Sequence, residues 1–429
     1  MSMETGPATL SNQGSLSFRR GVLCIESVPV AELAARYGTP LYVYSSAVLA
    51  DQYRALDESL SGLADNVLIC YALKANANAV LGGMLAEWGA GADVVSGGEV
   101  YLALKMGFPA GRIVFAGVGK TRREMEEALA AGVRAFHVES RGEMEALAAV
   151  ASGMGLVAPV AVRVNPDVDA HTHPFITTGT KANKFGVSPG EALEMMRQAN
   201  SSPSLVPAGL HAHVGSQLPK VEPVVQAAAR LLELWDTLAS EGINLRELDI
   251  GGGLGISYQQ DEMPEGPSAL AAGLRPLLGG RSLDLVLEPG RYLVGPAGAL
   301  LATVLYVKSG EDPDGHAQNV VVIDAGMNDL LRPALYGASH PVWPTSEEAM
   351  GGKTTVDLVG PVCESSDVIA QGRRLGDVSP GDVLAIGQAG AYGFSMASNY
   401  NGRPRPAEVL VSGEETRIIR HRESYEDLT

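Results

Sequence analysis

An alternation of short strand-like runs and helical stretches, repeated eight times from about residue 67, constrains this chain more than any other feature. The runs at 67–71, 92–95, 113–116, 135–138, 160–164, 209–214, 248–250 and 283–287 are β-branched or apolar. Ala/Leu/Glu-rich amphipathic stretches lie between them, among them 122–131, 141–151, 191–199 and 221–241. Gly132 and Gly242 stand where C-terminal helix stops are expected. A strand that returns to the same sheet edge through a crossover helix runs parallel to its predecessor, and eight such units close into a (β/α)8 TIM barrel. The competing architecture is an open doubly wound sheet, for which GGGLGI at 251–256 would be the dinucleotide fingerprint. That fingerprint requires glycine where Ile256 or Tyr258 stands.

Past residue 296 helical periodicity largely gives way to short strands separated by turns, at 301–307, 320–323, 354–359 and 382–386. These imply an antiparallel β-sandwich or β-barrel domain, joined by the hairpin-like SLSFRRGVLCIESVPV at 15–30. The expected division is a barrel over 36–296, with 1–35 and 297–429 building the β domain together. The 429 residues hold 32 Lys+Arg against 49 Asp+Glu, a formal charge of −17, with 46% hydrophobic and 19% charged. That composition excludes a disordered chain, and without a dense basic run it argues against nucleic-acid or membrane-surface partners. The longest uncharged apolar stretch, 292–307, is shorter than the roughly 20 residues a bilayer needs and contains Gly295, Pro296 and Gly298. It reads as a buried strand with its approach. The amino terminus lacks an apolar core behind a basic start, so a cytoplasmic location is expected. Cys24, Cys70 and Cys363 are odd in number and widely spaced, which fits neither a disulfide framework nor a metal-ligand pattern, and no metal site is expected.

Barrel enzymes place their chemistry at the C-terminal ends of the strands, and unusual polar residues recur there. Lys74, Ser96, Glu139, Arg163 with Asn165, His213 with Ser216, Gly251 to Gly253, and Glu288 to Arg291 each follow a run. Lys74, just past an apolar strand, is expected to be desolvated and so to favour the free amine, which can form a Schiff base. A lone strand-end lysine is usually solvated, and a lone glycine triplet is usually a turn. Gly251, Gly252 and Gly253 together let backbone amides approach an anion. Glu288 and Arg291 of EPGR supply a carboxylate and a guanidinium, for which a surface ion pair is the plain alternative. HAHVGS sets His211 and His213 on one strand face, where satisfied core histidines are the default. Cys363, in the glycine-rich GPVCES, has a glutamate neighbour that favours a functional thiol over a small buried hydrophobe. A lysine, a phosphate cradle and an acid on a neighbouring strand end have one economical explanation, pyridoxal 5′-phosphate: the lysine holds the aldehyde, the amides the phosphate, and the carboxylate the protonated ring nitrogen.

The chain resembles the diaminopimelate decarboxylases, among the barrel-type, alanine-racemase-like pyridoxal-phosphate enzymes, over nearly its whole length. The resemblance is carried by YALKAN, ADVVSGGE, HTHPFITTGTKANKFGV, HAHVGSQ, LDIGGGLGI, EPGRYLVGPAG, DAGMNDLLRPALYGASH, VGPVCESSD, GAYGFSMASNYNGRP and RHRESYEDL. It implies that Lys74 carries the cofactor, Glu288 pairs with the pyridine nitrogen and His213 stacks on the ring. Ser216, Gly253 and Gly290 would help the glycine run hold the phosphate, with Tyr392 close by. Arg291, Arg332 and Tyr336 would grip the substrate's distal carboxylate and Glu364 its distal ammonium. Cys363 would donate the proton after carbon dioxide leaves. The residues matching Cys363 and Glu364 come from the partner subunit in this family, which implies a homodimer. Phe175, Thr177 and Thr180 are small departures that remove none of these groups.

The implied reaction is loss of carboxylate from the D centre of meso-diaminopimelate, leaving L-lysine. Two arginines and a carboxylate match a distal zwitterion, and a singly charged tail would leave them unpaired. Decarboxylases of the same fold acting on ornithine, arginine, lysine or carboxynorspermidine are the nearest alternatives; a diamine-forming enzyme needs an acidic distal pocket. A non-catalytic pyridoxal-phosphate binder has no use for a proton donor, and a racemase should offer a base on each face. The net charge of −17 is offset locally by Lys74, Arg163, Arg291 and Arg332.

Overall fold

Eight parallel strands, Asn66–Ala72, Gly91–Val94, Ile113–Phe115, Ala135–Val138, Ala158–Arg163, Leu205–His211, Glu247–Asp249 and Asp284–Leu287, each pair with the next in the chain. The last closes on the first through Leu285 opposite Val67 and Leu287 opposite Ile69. The structure is a computed structural model that describes residues 14–168, 185–259, 263–311 and 317–429. All eight strands expected from the sequence are present, and the fold is a TIM barrel. Most of the HTHPFITTGTKANKFGV segment, with Phe175, Thr177 and Thr180, lies outside the described residues.

The helices begin and end where short-range chemistry directs. Thr121 and Glu124 form a reciprocal capping box at the start of Arg122–Ala131, and Gly132 closes that helix in the left-handed conformation at φ 77°. Ser96, Ser140 and Ser188 cap the helices that follow them by accepting from the amide three residues on. Small and branched side chains fill the barrel interior in clusters, Leu68, Cys70, Val114 and Val286 in one, Ala135, Ala161 and Ala208 in another.

The chain divides into two compact units, one of Gln52–Ile256 with Pro264–Leu293, which contains the barrel, and one of Met1–Asp51, Ser257–Met263 and Val294–Thr429. The second is built on the sheet of Gly298–Glu311, which pairs antiparallel with Ala317–Ile323, Val383–Ile386 and Leu41–Ser45. Two of its pairings are parallel, Ala317–Ile323 with Met350–Val359 and Leu41–Ser45 with Ala407–Ser412, so the sheet is mixed where an antiparallel one was expected. Leu16–Arg19, Val22–Ile25 and Val28–Pro29 form the expected hairpin material, and Leu16, Leu23 and Ile25 share a core with Leu41, Val43, Leu301 and Val409. The boundary expected at residue 36 placed 41–45 with the barrel. All five residues of that strand are buried within the sheet, which claims them through ladder bonds on both edges.

Candidate active site

At the C-terminal end of the barrel, packing brings the ends of the first, seventh and eighth strands together. Gly290 sits so close to Ala72 and Ala75 that a Cβ there would lie 3.1 and 3.0 Å from theirs, and the Ala72 amide donates to the Pro289 carbonyl at 3.2 Å. EPGR is thereby pressed against the turn that carries Lys74. Gly251 and Gly253 have φ of 68° and 115°, and a Cβ on Gly252 would stand 2.4 Å from the Glu288 carbonyl. These conformations and this closeness require glycine.

Lys74 differs from its expectation. Its side chain is 42% exposed and its Nζ pairs at 2.7 Å with Asp93 Oδ2, which is fully buried. The side chain is part-exposed and paired because the short 3-10 turn Leu73–Ala75 carries it beyond the strand end. Burial and the Glu288 charge push the Asp93 carboxyl up, against the pull of Lys74. Arg163 is buried and bonded to Glu139 at 2.9 Å, with its guanidinium 4.7 Å from the Phe185 ring centre.

The histidines divide by depth. His213 accepts from the Gly252 amide at Nδ1, 3.2 Å, and its Nε2 lies 3.4 Å from Ser216 Oγ. This leaves the ring proton on Nε2. Burial, then the charges of Arg163 and Lys74, push its pKa down to about 3. His211 and His137 are buried deeper and stack at 4.4 Å between centroids. His137 Nδ1 and His211 Nε2 each approach an oxygen of Glu288 within 3.3 Å. Burial pushes the Glu288 carboxyl up, yet His211 and His137 outweigh it and hold it well below the usual carboxylate range. Arg291 is buried at the start of the helix Arg291–Val294.

The other five expected residues, Arg332, Tyr336, Cys363, Glu364 and Tyr392, belong to the second unit. Arg332 is buried, its Nη1 2.8 Å from His340 Nε2 and its guanidinium 4.8 Å from the Tyr258 ring centre. Half-buried Tyr336 ends the one-turn helix that Arg332 begins. Cys363 and Glu364 are exposed, and Tyr400 Oη donates to Glu364. Asp367 accepts from the amides of Met327, at 2.6 Å, and Val362, at 2.7 Å, which ties the cysteine loop to the segment leading to Arg332. Tyr392 has φ 56°, in the left-handed region, between Gly390 and Gly393, both of which press on neighbouring backbone.

Residues 47–295 match the family model for the pyridoxal-binding domain of pyridoxal-dependent decarboxylases. The chain is 47% identical over 404 residues to the diaminopimelate decarboxylase of Neisseria meningitidis serogroup B, which covers 94% of this chain and 95% of the relative. The chain belongs to the diaminopimelate decarboxylase family. Two solved members are close in fold: that of Helicobacter pylori complexed with L-lysine (TM-score 0.87, 42% identity, 92% of this chain and 97% of that one) and that of M. jannaschii in co-complex with L-lysine (TM-score 0.90, 38% identity, 97% of each).

The cofactor of this decarboxylase is pyridoxal 5′-phosphate, and its residues fit that group. Glu288 is buried at the strand end beside the glycine run and held ionised by its neighbours, which is the chemistry that a protonated ring nitrogen needs in an acceptor. The glycine run is a concavity that Cβ atoms would fill. Residue-by-residue reading of the sequence missed Asp93, His137, Asp249, His340 and Asp367. Asp93, His137 and Asp249 were visible as charged or ring residues set inside short apolar strands, where a polar side chain faces the barrel interior at a cost unless it has work there. Nothing local in the sequence marks His340 or Asp367.

Proposed function

We propose that this decarboxylase acts on meso-2,6-diaminopimelate at its D centre, releasing carbon dioxide and leaving L-lysine, the last step of lysine biosynthesis by the diaminopimelate route. The observation that carries the reading is Arg332, a buried guanidinium set by His340 and Tyr258 in a member of this family. A buried arginine suits a carboxylate on the far end of the substrate, which a simple diamine precursor lacks.

When bound, the cofactor supplies an electron-poor ring that accepts the electron pair left by departing carbon dioxide. Lys74 would hold it covalently, with Asp93 placing its side-chain nitrogen. Glu288 would pair with the pyridine nitrogen and keep a proton there, and His213 would lie against the ring. Ser216, Gly251, Gly252, Gly253 and Gly290 would hold the phosphate, with Arg291 and Tyr392 beside the cofactor. Arg291, Arg332 and Tyr336 would bind the distal carboxylate, Tyr392 would line the substrate site and Glu364 would take the distal ammonium. Cys363 Sγ would give its proton to the carbon that lost the carboxylate. The exposure of Cys363 and Glu364 supports their delivery into the site of a partner subunit in a homodimer. The three free cysteines, Cys24, Cys70 and Cys363, suit the reducing cytoplasm, and no helix among the described residues is long and apolar enough to cross a membrane.

The test is carbon dioxide release by the cofactor-loaded protein from meso-diaminopimelate, with L-lysine, L-ornithine and L-arginine beside it. Release from meso-diaminopimelate alone, with L-lysine as product, is expected. Preference for a basic amino acid would overturn the distal-carboxylate reading of Arg332.

A further inference from the structure

Beneath the site lies a group of four buried side chains, His137, His211, Asp249 and Glu288, of which only Glu288 is used above. Both nitrogens of each imidazole, Asp249 Oδ2 and Glu288 Oε1 are buried without a hydrogen-bond partner among the described residues. So many unsatisfied polar atoms side by side would be costly if they stayed so. They are arranged to satisfy one another. His137 Nδ1 faces one Glu288 oxygen and His211 Nε2 the other, each at 3.3 Å, while His137 Nε2 faces Asp249 Oδ2 at 3.6 Å. Asp249 Oδ1 already accepts from the Gly251 amide at 2.8 Å, and Lys120 Nζ donates to the His137 carbonyl at 2.6 Å, which fixes that strand end.

We propose that His137 and His211 are positioning residues that clamp the two oxygens of Glu288, and that Asp249 anchors the clamp to the glycine run through His137 on one side and the Gly251 amide on the other. The inference rests on the reading that Glu288 receives the ring nitrogen. Two carboxyls this close share their charge unequally. Burial and the Glu288 charge drive the Asp249 carboxyl well above its ordinary range, whereas Glu288 stays ionised. The donors toward Glu288 then run one way, His137 Nδ1–H to Oε1 and His211 Nε2–H to Oε2, each at 3.3 Å, while Asp249 Oδ2 packs against His137 Nε2 at 3.6 Å without a direct hydrogen bond. Burial also keeps His211 uncharged, with a pKa pushed down to about 4. The negative charge of the group is concentrated on Glu288. The glycine run that holds the phosphate and the acid that holds the ring become one rigid unit.

Nitrogen-15 histidine NMR of the full-length protein, with and without cofactor, tests the proton assignment. A proton on Nδ1 of His137, and a neutral His211 ring at pH 7 with its proton on Nε2, are expected; an imidazolium at His211, or a ring that carries no proton on the nitrogen facing Glu288, overturns the clamp. Cofactor affinity and turnover test its role. His211→Leu should weaken cofactor binding and lower kcat on the order of tenfold at unchanged KM, and His211→Gln, which keeps a donor near the Nε2 position, should recover most of both. Equal loss in the two variants, or loss in neither, overturns it. Glu288→Gln separates the two readings: normal cofactor affinity and turnover in that variant would remove the role of Glu288 itself, whereas impairment there without impairment in His211→Leu removes the clamp alone.

Discussion

The two ends of the barrel are both crowded with charge, and they use it in opposite ways. At the N-terminal end, Arg134 Nε reaches Glu247 at 2.6 Å and its Nη2 reaches Asp284 at 2.5 Å, while Arg246 adds a second cation on Glu247 at 3.0 Å and Asn66 donates to Asp284 at 2.7 Å. These side chains stand at or just before the starts of the first, fourth, seventh and eighth strands. Cations and anions are consumed by each other, and the result is a plug. At the C-terminal end Asp93, Asp249 and Glu288 are buried, and burial keeps the nearby His211 and His213 uncharged. Lys74, whose side chain is part-exposed, stands 2.7 Å from Asp93. One end spends its electrostatics on the fold and the other keeps it for a ligand, which is where a stability–function trade-off belongs.

The largest effect that tests this contrast is at the open end. Lys74→Ala should lower turnover by at least on the order of a thousandfold and remove the long-wavelength absorbance of the bound cofactor, with the melting temperature of the apoprotein falling less than in Arg134→Ala because the Asp93 carboxyl, pushed up by burial, neutralises itself by taking a proton. A large drop in melting temperature would make Lys74 a structural residue. At the closed end the pattern reverses. Arg134→Ala leaves Glu247, which is fully buried, and Asp284 without their shared cation, and should cost about 3 kcal/mol in unfolding free energy. The kcat of the folded fraction should stay within about twofold of the parent. Loss of kcat without loss of stability would erase the distinction between the ends.

Acid should attack the C-terminal end first. His211 titrates near 6.5 in the unfolded chain and near 4 in the fold. Between those values the unfolded chain holds a proton that the native one refuses, so this contribution to stability is complete above pH 6.5 and drains away as pH falls toward 4. His213, pushed down to about 3, acts in the same direction. Unfolding of the apoprotein at pH 7 and pH 4.5 should show a decline that shrinks on the order of 2 kcal/mol in His211→Gln. An unaltered decline would mean that His211 is already charged in the native state.

The same contrast explains what was legible beforehand. Strand-end residues such as Lys74, Ser216 and Glu288 stand out because polarity breaks an apolar run at a fixed place in each repeat. Arg134, Glu247 and Asp284 precede their runs and read as loop charge; only closure of the barrel brings 66, 134, 247 and 284 together. Residues 41–45, LYVYS, have no local mark that separates a sheet strand from a barrel strand, so the boundary fell on the wrong side of them. Strand direction was equally hidden in the second unit, where the parallel neighbour of Leu41–Ser45 comes from far along the chain and that of Ala317–Ile323 follows after an intervening strand of the same sheet. The exposure of Lys74 turned on one 3-10 turn, which hydrophobic periodicity does not register.

The smallest effect has the opposite sign, and it tests the contrast most sharply. Asp93 is fully buried, and burial together with the Glu288 charge makes its ionised form costly; Lys74 offsets this only in part because its side chain is part-exposed. Asp93→Asn removes that charge, keeps the shape and leaves an acceptor for Lys74. Removing a poorly compensated buried charge is often neutral or stabilising, so the apoprotein should gain about 1 kcal/mol in unfolding free energy. Turnover should fall on the order of tenfold, because the ammonium loses the carboxylate that places it. Arg134→Ala lowers stability and spares kcat; Asp93→Asn raises stability and lowers kcat. If Asp93→Asn instead destabilised the chain as Arg134→Ala does, the C-terminal charges would belong to the fold after all, and the two ends of the barrel would differ in composition alone.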